Sequence, residues 1–326
     1  MHLHSITALF ATACGGAITI TPDGNAGAMG IPDIRCAGAP DAGPERDFIH
    51  VTSRMIAAFE PHHRGYDLVA AAGAPQTIAG MISYGPNDKA LEDEDVDVFA
   101  CTDGWQPIGT ARTDGEGRFA LALTGDTHLP VGMRDMFVSV VGDRSGVGFL
   151  AYVAPDGSQL VVSDVDGTLT SSENAFLGTV AFDSVPGTQP GAPDAFRDAT
   201  TRGMQIVYVT ARGGQFTDDT RTWLATKGYP RGPVRLSPDY ITTPGADTVA
   251  FKTTTLQALA AQVPIAAGIG NRHSDVQAYA AAGLAADRIY IKLPEYQSEV
   301  QGDLDAGAAI GFSAYDDLRA QYVPTW

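Results

Sequence analysis

The segment 160-LVVSDVDGTLT-170 decides the fold of this chain. Leu160 to Ser163 form a short buried-strand pattern, and a turn that carries two carboxylates, Asp164 and Asp166, follows at once. Gly167 supplies the backbone freedom that such a turn needs. Two carboxylates at the end of a strand can divide the work of phosphoryl transfer, one attacking phosphorus and the other protonating the leaving oxygen. The alternative is an acidic turn in which Asp and Gly serve the backbone alone.

From Leu160 onward, apolar strand runs alternate with helical patterns. The strand runs are Leu160 to Ser163, Gln205 to Val209, Ile265 to Ile269 and Arg288 to Ile291. The helical patterns are Ala195 to Arg202, Asp218 to Lys227, Lys252 to Gln262 and Asp275 to Ala282. This alternation predicts an α/β domain, a parallel sheet with helices on both faces, and such sheets bind ligands at the carboxyl ends of their strands.

Polar side chains stand at the positions where ligands of such a sheet would bind. Thr210 follows the second strand run and can donate to a phosphoryl oxygen, while Lys252, predicted to open a helix after Phe251, can neutralise phosphoryl charge. Asn271 and Asp275 follow the third strand run and offer oxygen ligands to Mg²⁺. Taken singly, these residues are also typical of a helix cap, a solvated lysine and a turn. Together they predict a magnesium-dependent phosphoryl-transfer site.

The chain before residue 154 has a different pattern of predicted secondary structure. Phe48 to Phe59 shows helical spacing of apolar residues and ends before Pro61. Short strand candidates separated by Gly, Asp and Pro turns follow, and their spacing predicts a small β-sandwich. These candidates are Thr77 to Tyr84, Asp95 to Cys101, Ile108 to Arg112, Arg118 to Leu123, Met136 to Val141 and Val147 to Val153.

The four motifs, in this order and each beyond a strand, resemble those of the haloacid dehalogenase (HAD) superfamily. More narrowly, residues 159 to 295 resemble the catalytic region of the lipin family, the LNS2-type Mg²⁺-dependent phosphatidate phosphatases, in a bacterial member. The segments that carry this resemblance are Asp164 to Gly178, Val209 to Arg212, Gly232 to Pro238, Phe251-Lys252 and Ala267 to Tyr279. The resemblance implies a HAD-like Rossmannoid parallel sheet without a large cap, preceded by a small immunoglobulin-like β-sandwich domain.

The resemblance also implies a role for individual residues. Asp164 would be the nucleophile and Asp166 the general acid and base. Thr210 and Lys252 would bind the phosphoryl group.

A Mg²⁺ cofactor would be held by Asp164, the backbone carbonyl of Asp166 and Asn271. Asp275 would either be a further metal ligand or act indirectly, by anchoring Lys252 or the metal site. Arg212 and Arg272 would face the substrate, or alternatively hold loops by salt bridges; His273 receives no role.

The spacing of the motifs bears on the substrate. The intervals from Asp166 to Thr210 and from Thr210 to Lys252 are too short for a separate cap domain beside the helices already assigned there. An open site suits a substrate whose bulk stays outside, such as a lipid phosphate at a membrane surface.

The prediction is therefore a Mg²⁺-dependent phosphomonoester hydrolase, most simply a phosphatidate phosphatase. The alternatives are a phosphatase of soluble or protein phosphate esters and a phosphatidate-binding module without catalysis. The presence of both Asp164 and Asp166 favours hydrolysis, because a binder needs neither nucleophile nor acid.

Composition limits the partners further. The 326 residues include 21 basic and 38 acidic side chains, for a net charge of −17, which argues against a nucleic-acid partner. Hydrophobic residues make up 44%, enough for a folded core, but no run is long enough to predict a transmembrane helix. The sequence does not predict an oligomeric state.

The predicted organisation begins with a signal or lipoprotein segment over 1–20, because a short apolar stretch there precedes the box Ala11-Thr12-Ala13-Cys14. A linker over 21–47, a helix and β-sandwich domain over 48–153 and a HAD-like domain over 154–326 follow. The first segment favours export or membrane anchoring over a cytoplasmic location, although an irregular N-terminus explains it as well. Cys36 and Cys101 either pair, which requires an oxidising compartment, or remain two thiols.

Overall fold

A computed structural model describes residues 30–172, 186–238 and 245–326. The predicted signal segment over 1–20, with Cys14, lies outside the described residues. Among the helices that are described, none combines the length and apolar character needed to cross a bilayer.

Strands dominate the first half of the described chain. They are β1 (Asp33–Ile34), β2 (Arg64–Tyr66), β3 (Leu68–Ala71), β4 (Gln76–Met81), β5 (Ser83–Tyr84), β6 (Lys89–Ala90), β7 (Asp95–Cys101), β8 (Trp105–Arg112), β9 (Arg118–Leu123), β10 (Gly132–Val140) and β11 (Gly146–Ala154). One sheet has the order β3-β11-β10-β7-β8, with β1 beside β10, and a second has the order β2-β4-β9. Strands β5 and β6 form a separate hairpin.

Alternation of apolar residues explains why these sheets pack together. On β7, Val96, Val98 and Ala100 are fully buried, and they share one hydrophobic core with Ile78 of β4 and Phe119 of β9. The predicted β-sandwich is therefore confirmed, although the predicted strand Thr77 to Tyr84 is divided into β4 and β5.

The segments that precede the sandwich differ in part from expectation. The predicted helix Phe48 to Phe59 is only α1 (Val51–Ile56), and its apolar residues Val51 and Met55 are exposed instead of buried. Within the stretch predicted as a linker, residues 30–47 lie along the sandwich: β1 pairs with β10, and Cys36 forms a disulfide with Cys101. The structure thus contains the pairing that the sequence left open.

The second half of the chain is an α/β unit. Its strands are β12 (Gln159–Ser163), β13 (Met204–Gly213), β14 (Val234–Ser237), β15 (Ile265–Gly270), β16 (Ile289–Lys292) and β17 (Ile310–Phe312). Its helices are α2 (Ala192–Thr201), α3 (Thr217–Thr226), α4 (Ala246–Ala260), α5 (His273–Ala281), α6 (Gln297–Asp305) and α7 (Tyr315–Gln321). All strand pairs are parallel, in the order β14-β13-β12-β15-β16-β17, which confirms the predicted sheet.

Strand β12 lies in the middle of this sheet and is buried on both faces. Val161 faces a core formed with α2 and α7, whereas Leu160 and Val162 face a second core formed with α4 and α5. This explains the unbroken apolar run before Asp164. Because both faces of β12 are covered, polar residues do not have to alternate with apolar ones along the strand. The carboxyl end of β12 is therefore held rigidly between its neighbours.

Two features of this unit were predicted wrongly or not at all. Lys252 was expected to open a helix, but α4 begins at Ala246, so Lys252 lies in its middle. Strands β14 and β17 were not predicted, because each is a short strand at the sheet edge without an apolar run. Across the described residues, neither interval between the first three motifs holds an additional domain.

The sandwich and the α/β unit share buried contacts. Val69 and Tyr152 of the sandwich belong to the same core as Val162 and Val207 of the parallel sheet. The joint is polar at Asp67, whose carboxylate accepts hydrogen bonds from the backbone N–H groups of Leu150 and Val234, both at 2.7 Å, and from Arg221. The two units are thus packed into one body around the edge strand β14.

Candidate active site

Asp164 is the first residue beyond β12, and it is nearly completely buried, with 5% of its surface exposed. Its backbone N–H donates to the carbonyl of Ile269 on β15 at 2.9 Å, which fixes the chain as it leaves the sheet. Its Oδ1 accepts from Lys252 Nζ at 2.7 Å, and its Oδ2 accepts from the hydroxyl of Thr168 at 2.9 Å. The carboxylate is therefore oriented by donors on both oxygens.

Lys252 reaches this carboxylate from the middle of α4. Its Nζ lies 2.7 Å from Asp164 and 2.5 Å from Asp275, and all three side chains are buried. Burial by itself lowers the pKa of Lys252, but the two carboxylates outweigh burial and raise this pKa above its ordinary value. The ammonium is consequently a fixed positive charge beside Asp164.

Asp275 is held as firmly as the lysine that it contacts. Its Oδ1 accepts from Lys252, and its Oδ2 accepts from the backbone N–H groups of Asn271 and Arg272, both at 3.0 Å. Gly270 makes this turn possible, because a Cβ there would lie 2.4 Å from the Cβ of Asp275. Of the two roles left open for Asp275, the contacts match the anchor of Lys252.

Asp166, two residues beyond Asp164, is engaged by a different set of donors. Thr210 at the carboxyl end of β13 donates to its Oδ2 at 2.9 Å. Arg212 contacts both carboxylate oxygens, with Nη2 at 2.7 Å from Oδ1 and Nε at 2.9 Å from Oδ2. Arg212 is itself oriented by Thr220 of α3 at 2.9 Å. The structure therefore places Arg212 on Asp166, and Thr210 beside it.

The side chain of Arg272 contacts residues at and before the start of helix α6. Its guanidinium forms an ion pair with Glu299 at 2.9 Å and stacks on the ring of Tyr296 at 3.9 Å. His273, which had no predicted role, contacts Asp303 at 2.6 Å. These contacts match the loop-holding alternative for Arg272, since they tie the turn after β15 to helix α6.

Several supporting residues were not found from the sequence. Thr168 belongs to the motif but received no role, and its hydroxyl orients Asp164. Tyr279 donates to the carbonyls of Val162 and Ile269, which ties the ends of β12 and β15 together. Glu299 lies 27 residues from Arg272 in the chain, so no local pattern could indicate that pair. The place of Thr168 at the end of the DVDGT motif was the one signal in the sequence that could have indicated its role.

The donor set fits Mg²⁺ by its chemistry. The side chains of Asp164 and Asn271 are nearly completely buried and offer carboxylate and amide oxygens, as Mg²⁺ requires. Within the described residues, no group of three or more His, Cys, Asp or Glu side chains forms a metal site. In proteins Mg²⁺ commonly binds one or two carboxylates together with waters and substrate phosphate.

A β-sandwich followed by a parallel sheet with the DVDGT motif on its central strand defines the class of this molecule. Residues 161–292 match the family model described as PITM 1-3, LNS2 domain, and residues 61–153 match PITM 1-3, beta-sandwich domain. The chain thus carries a β-sandwich domain followed by an LNS2-type, HAD-like α/β domain.

Individual relatives agree with both matches. Membrane-associated phosphatidylinositol transfer protein 1 of Homo sapiens is 32% identical in an alignment 297 residues long that covers 80% of this chain and 23% of that protein. Membrane-associated phosphatidylinositol transfer protein 3 of Mus musculus is 28% identical over 248 residues, 74% of this chain and 24% of that protein. The chain spans about a quarter of the length of these curated relatives. As animal proteins, they lend no support to the expected bacterial origin.

Solved structures show a more distant likeness. Phosphoserine phosphatase in its apo form aligns with a TM-score of 0.36 and 12% identity, covering 50% of this chain and 98% of that chain.

Proposed function

We propose that this chain is a Mg²⁺-dependent phosphomonoester hydrolase that works through an aspartyl-phosphate on Asp164. The observation that carries the proposal is the buried Asp164 carboxylate, oriented by Lys252 and Thr168 at the end of the central strand. A second carboxylate, Asp166, lies two residues further on and is oriented independently. This is the division of roles that nucleophilic phosphoryl transfer needs.

The reaction follows from these positions. An Asp164 oxygen attacks phosphorus while Asp166 gives a proton to the leaving oxygen, and the phosphate becomes an acyl phosphate on Asp164. Asp166 then accepts a proton from a water molecule that attacks this phosphorus, which releases inorganic phosphate and regenerates Asp164.

Lys252 and Thr210 would bind the phosphoryl oxygens, a role supported by the contact of Lys252 with Asp164 and of Thr210 with Asp166. Mg²⁺, when bound by Asp164, the backbone carbonyl of Asp166 and Asn271, would neutralise charge on the phosphoryl oxygens.

For the substrate, we propose phosphatidate. The described residues between the motifs hold no cap domain, so the site can accept a phosphate whose remaining bulk is outside. The names of the relatives, which concern phosphatidylinositol transfer at membranes, support a lipid substrate. They equally support a second candidate function, the binding of a lipid phosphate without hydrolysis.

Phosphate release tests these candidates together. Purified protein with Mg²⁺ should hydrolyse phosphatidate in mixed micelles, at fixed surface fraction, with a higher kcat/KM than glycerol 3-phosphate, a nucleotide or a phosphopeptide. Chelation with EDTA should abolish turnover without unfolding the chain. Binding of phosphatidate without phosphate release would favour the binding module, and hydrolysis of soluble esters alone would exclude phosphatidate as the substrate.

A further inference from the structure

A cleft of about 690 Å³ lies between the β-sandwich and the α/β domain. One wall is the sandwich, including Leu68 and Val69 of β3, and the other is the face of α4 that carries Ala250 and Thr254. Its volume falls within the range of small-molecule sites, which often form between domains. The active site as described above does not use this cleft.

The cleft extends to the catalytic edge of the sheet. Gly214 and Ser237, which lie at the carboxyl ends of β13 and β14, both line it. Phe251, another lining residue, is the neighbour of Lys252 on α4. A molecule with its phosphate at Asp164 could therefore extend its remaining part along α4 into the cleft.

Arg235 of β14 lines the cleft, and one of its donor atoms lacks a hydrogen-bond acceptor in the described part of the chain. Its Nη1 is buried and has no hydrogen-bond partner among the described residues. Burial lowers the pKa of Arg235, and Asp67, the carboxylate whose charge opposes this shift, already accepts from Arg221 and two backbone N–H groups. A buried donor without an acceptor is costly, so an oxygen acceptor from a ligand would be favourable there.

The chemistry of the lining selects the class of ligand. Apolar walls favour hydrocarbon, and the carboxylates of Asp67 and Asp247 line the cleft together with Arg235. Because these two negative charges disfavour a further anion, a neutral oxygen such as an ester carbonyl is the favoured acceptor. We propose that the cleft receives an ester-linked acyl chain of the substrate, with the ester carbonyl toward Arg235. This inference rests on the proposed phosphatase function and adds to it a site for acyl recognition.

A cleft-filling substitution tests the proposal. Thr254 is exposed and lines the cleft, so Thr254→Trp should block it without disturbing the core, whereas Ala258→Trp changes an exposed position of the same helix outside the cleft. The kcat/KM is measured for soluble dihexanoyl phosphatidate and for glycerol 3-phosphate. The wild-type chain should prefer the acylated ester by about tenfold or more, since burial of two methylene groups already gives that factor.

The expected result is loss of this preference in Thr254→Trp, with glycerol 3-phosphate hydrolysis unchanged and with Ala258→Trp like the wild type. Arg235→Met should also reduce the preference for the acylated ester over glycerol 3-phosphate. Thermal unfolding of this variant would show whether β14 remains intact. The acyl site would be refuted if Thr254→Trp kept the preference for the acylated ester. It would also be refuted if the wild type hydrolysed both esters without preference. Neither result would contradict the proposed phosphatase function. Absence of hydrolysis of any ester would overturn the proposed function, and the acyl site with it.

Discussion

At the scale of single residues, the two aspartates of the motif differ in what holds them. Asp164 is paired with a lysine that a second carboxylate also contacts, whereas Asp166 is clamped through both oxygens by Arg212. The clamp keeps Asp166 in place, but it must release an oxygen before that oxygen can exchange a proton with the leaving group. Arg212 is therefore a positioning residue in this account.

The rate with different leaving groups tests the position of Asp166. Arg212→Gln should lower kcat by about tenfold to a hundredfold for alkyl phosphates, whose leaving oxygen needs a proton, and much less for p-nitrophenyl phosphate, as expected for impaired general acid catalysis. Asp166→Asn should show the same dependence on the leaving group. Equal losses for both kinds of ester would mean that Arg212 acts elsewhere, for example on the phosphoryl group.

A buried histidine should make stability depend on pH. Burial lowers the pKa of His63 to about 4 against an ordinary value of 6.5, with the Asp143 carboxylate opposing. The folded chain therefore binds fewer protons than the unfolded chain between these values, so the free energy of unfolding should decrease as pH falls from 6.5 toward 4.

Urea unfolding at several pH values measures this slope. His63→Gln should flatten it, whereas His50→Gln, which changes an exposed histidine, should not. An unchanged slope in His63→Gln would assign the pH dependence to other groups.

At the scale of elements, the turn between β15 and α5 is the most constrained part of the site. Asp275 anchors Lys252 only because Gly270 allows the chain to pass against it. The same turn is tied to α6 through Glu299, so its geometry does not depend on the strand alone.

A methyl group at Gly270 should displace Asp275. Gly270→Ala places a Cβ 2.4 Å from the Cβ of Asp275, so Lys252 should shift and kcat should fall by about a hundredfold, as small misplacements in active sites often cause. Gly302→Ala is the matched control, because a Cβ there meets nothing within 4 Å. If Gly270→Ala turns over like Gly302→Ala, the anchoring of Lys252 is not needed for catalysis.

The sequence predicted those elements whose pattern is local. Strand β12 and the turn after it were predictable, because a strand buried on both faces is a continuous apolar run and its carboxylates follow directly. Strand β14 was not predictable, since this edge strand has only four residues, and the half-buried Arg235 interrupts its apolar pattern. The start of α4 was misplaced because the pattern of apolar residues there is weak, although the position of Lys252 beside Asp164 was expected.

At the scale of the whole molecule, one buried carboxylate supplies the polar contacts of the joint between the domains, beside their shared apolar core. Asp67 follows β2 in the sandwich and accepts hydrogen bonds from β11, from β14 and from Arg221 of α3. Partners this far apart in the chain leave no pattern in the sequence, so neither the joint nor the cleft beside it was predicted. Because β14 also lines the cleft, the joint determines how the cleft meets the active site.

Removal of this charge should destabilise the whole chain. Asp67→Asn replaces an almost completely buried carboxylate that accepts from two backbone N–H groups and from the partly exposed Arg221, so the free energy of unfolding should fall by about 3 kcal/mol. Asp95→Asn is the control, because its ion pair with Arg112 is at the surface, where solvent screens it, and its loss should change the free energy of unfolding much less. Equal effects of the two substitutions on urea unfolding would refute the special role of Asp67.

The central claim is that Asp164 becomes phosphorylated during turnover, and trapping that intermediate tests it most directly. Protein mixed with excess phosphatidate and Mg²⁺ is quenched in acid within a single turnover, reduced with borohydride and digested, and the peptide that contains residue 164 is analysed by mass spectrometry. Because borohydride converts an aspartyl-phosphate to homoserine, we expect homoserine at position 164 in the wild type and none in Asp164→Asn. Phosphate release with an unmodified Asp164, or with the modification on another residue, would contradict it.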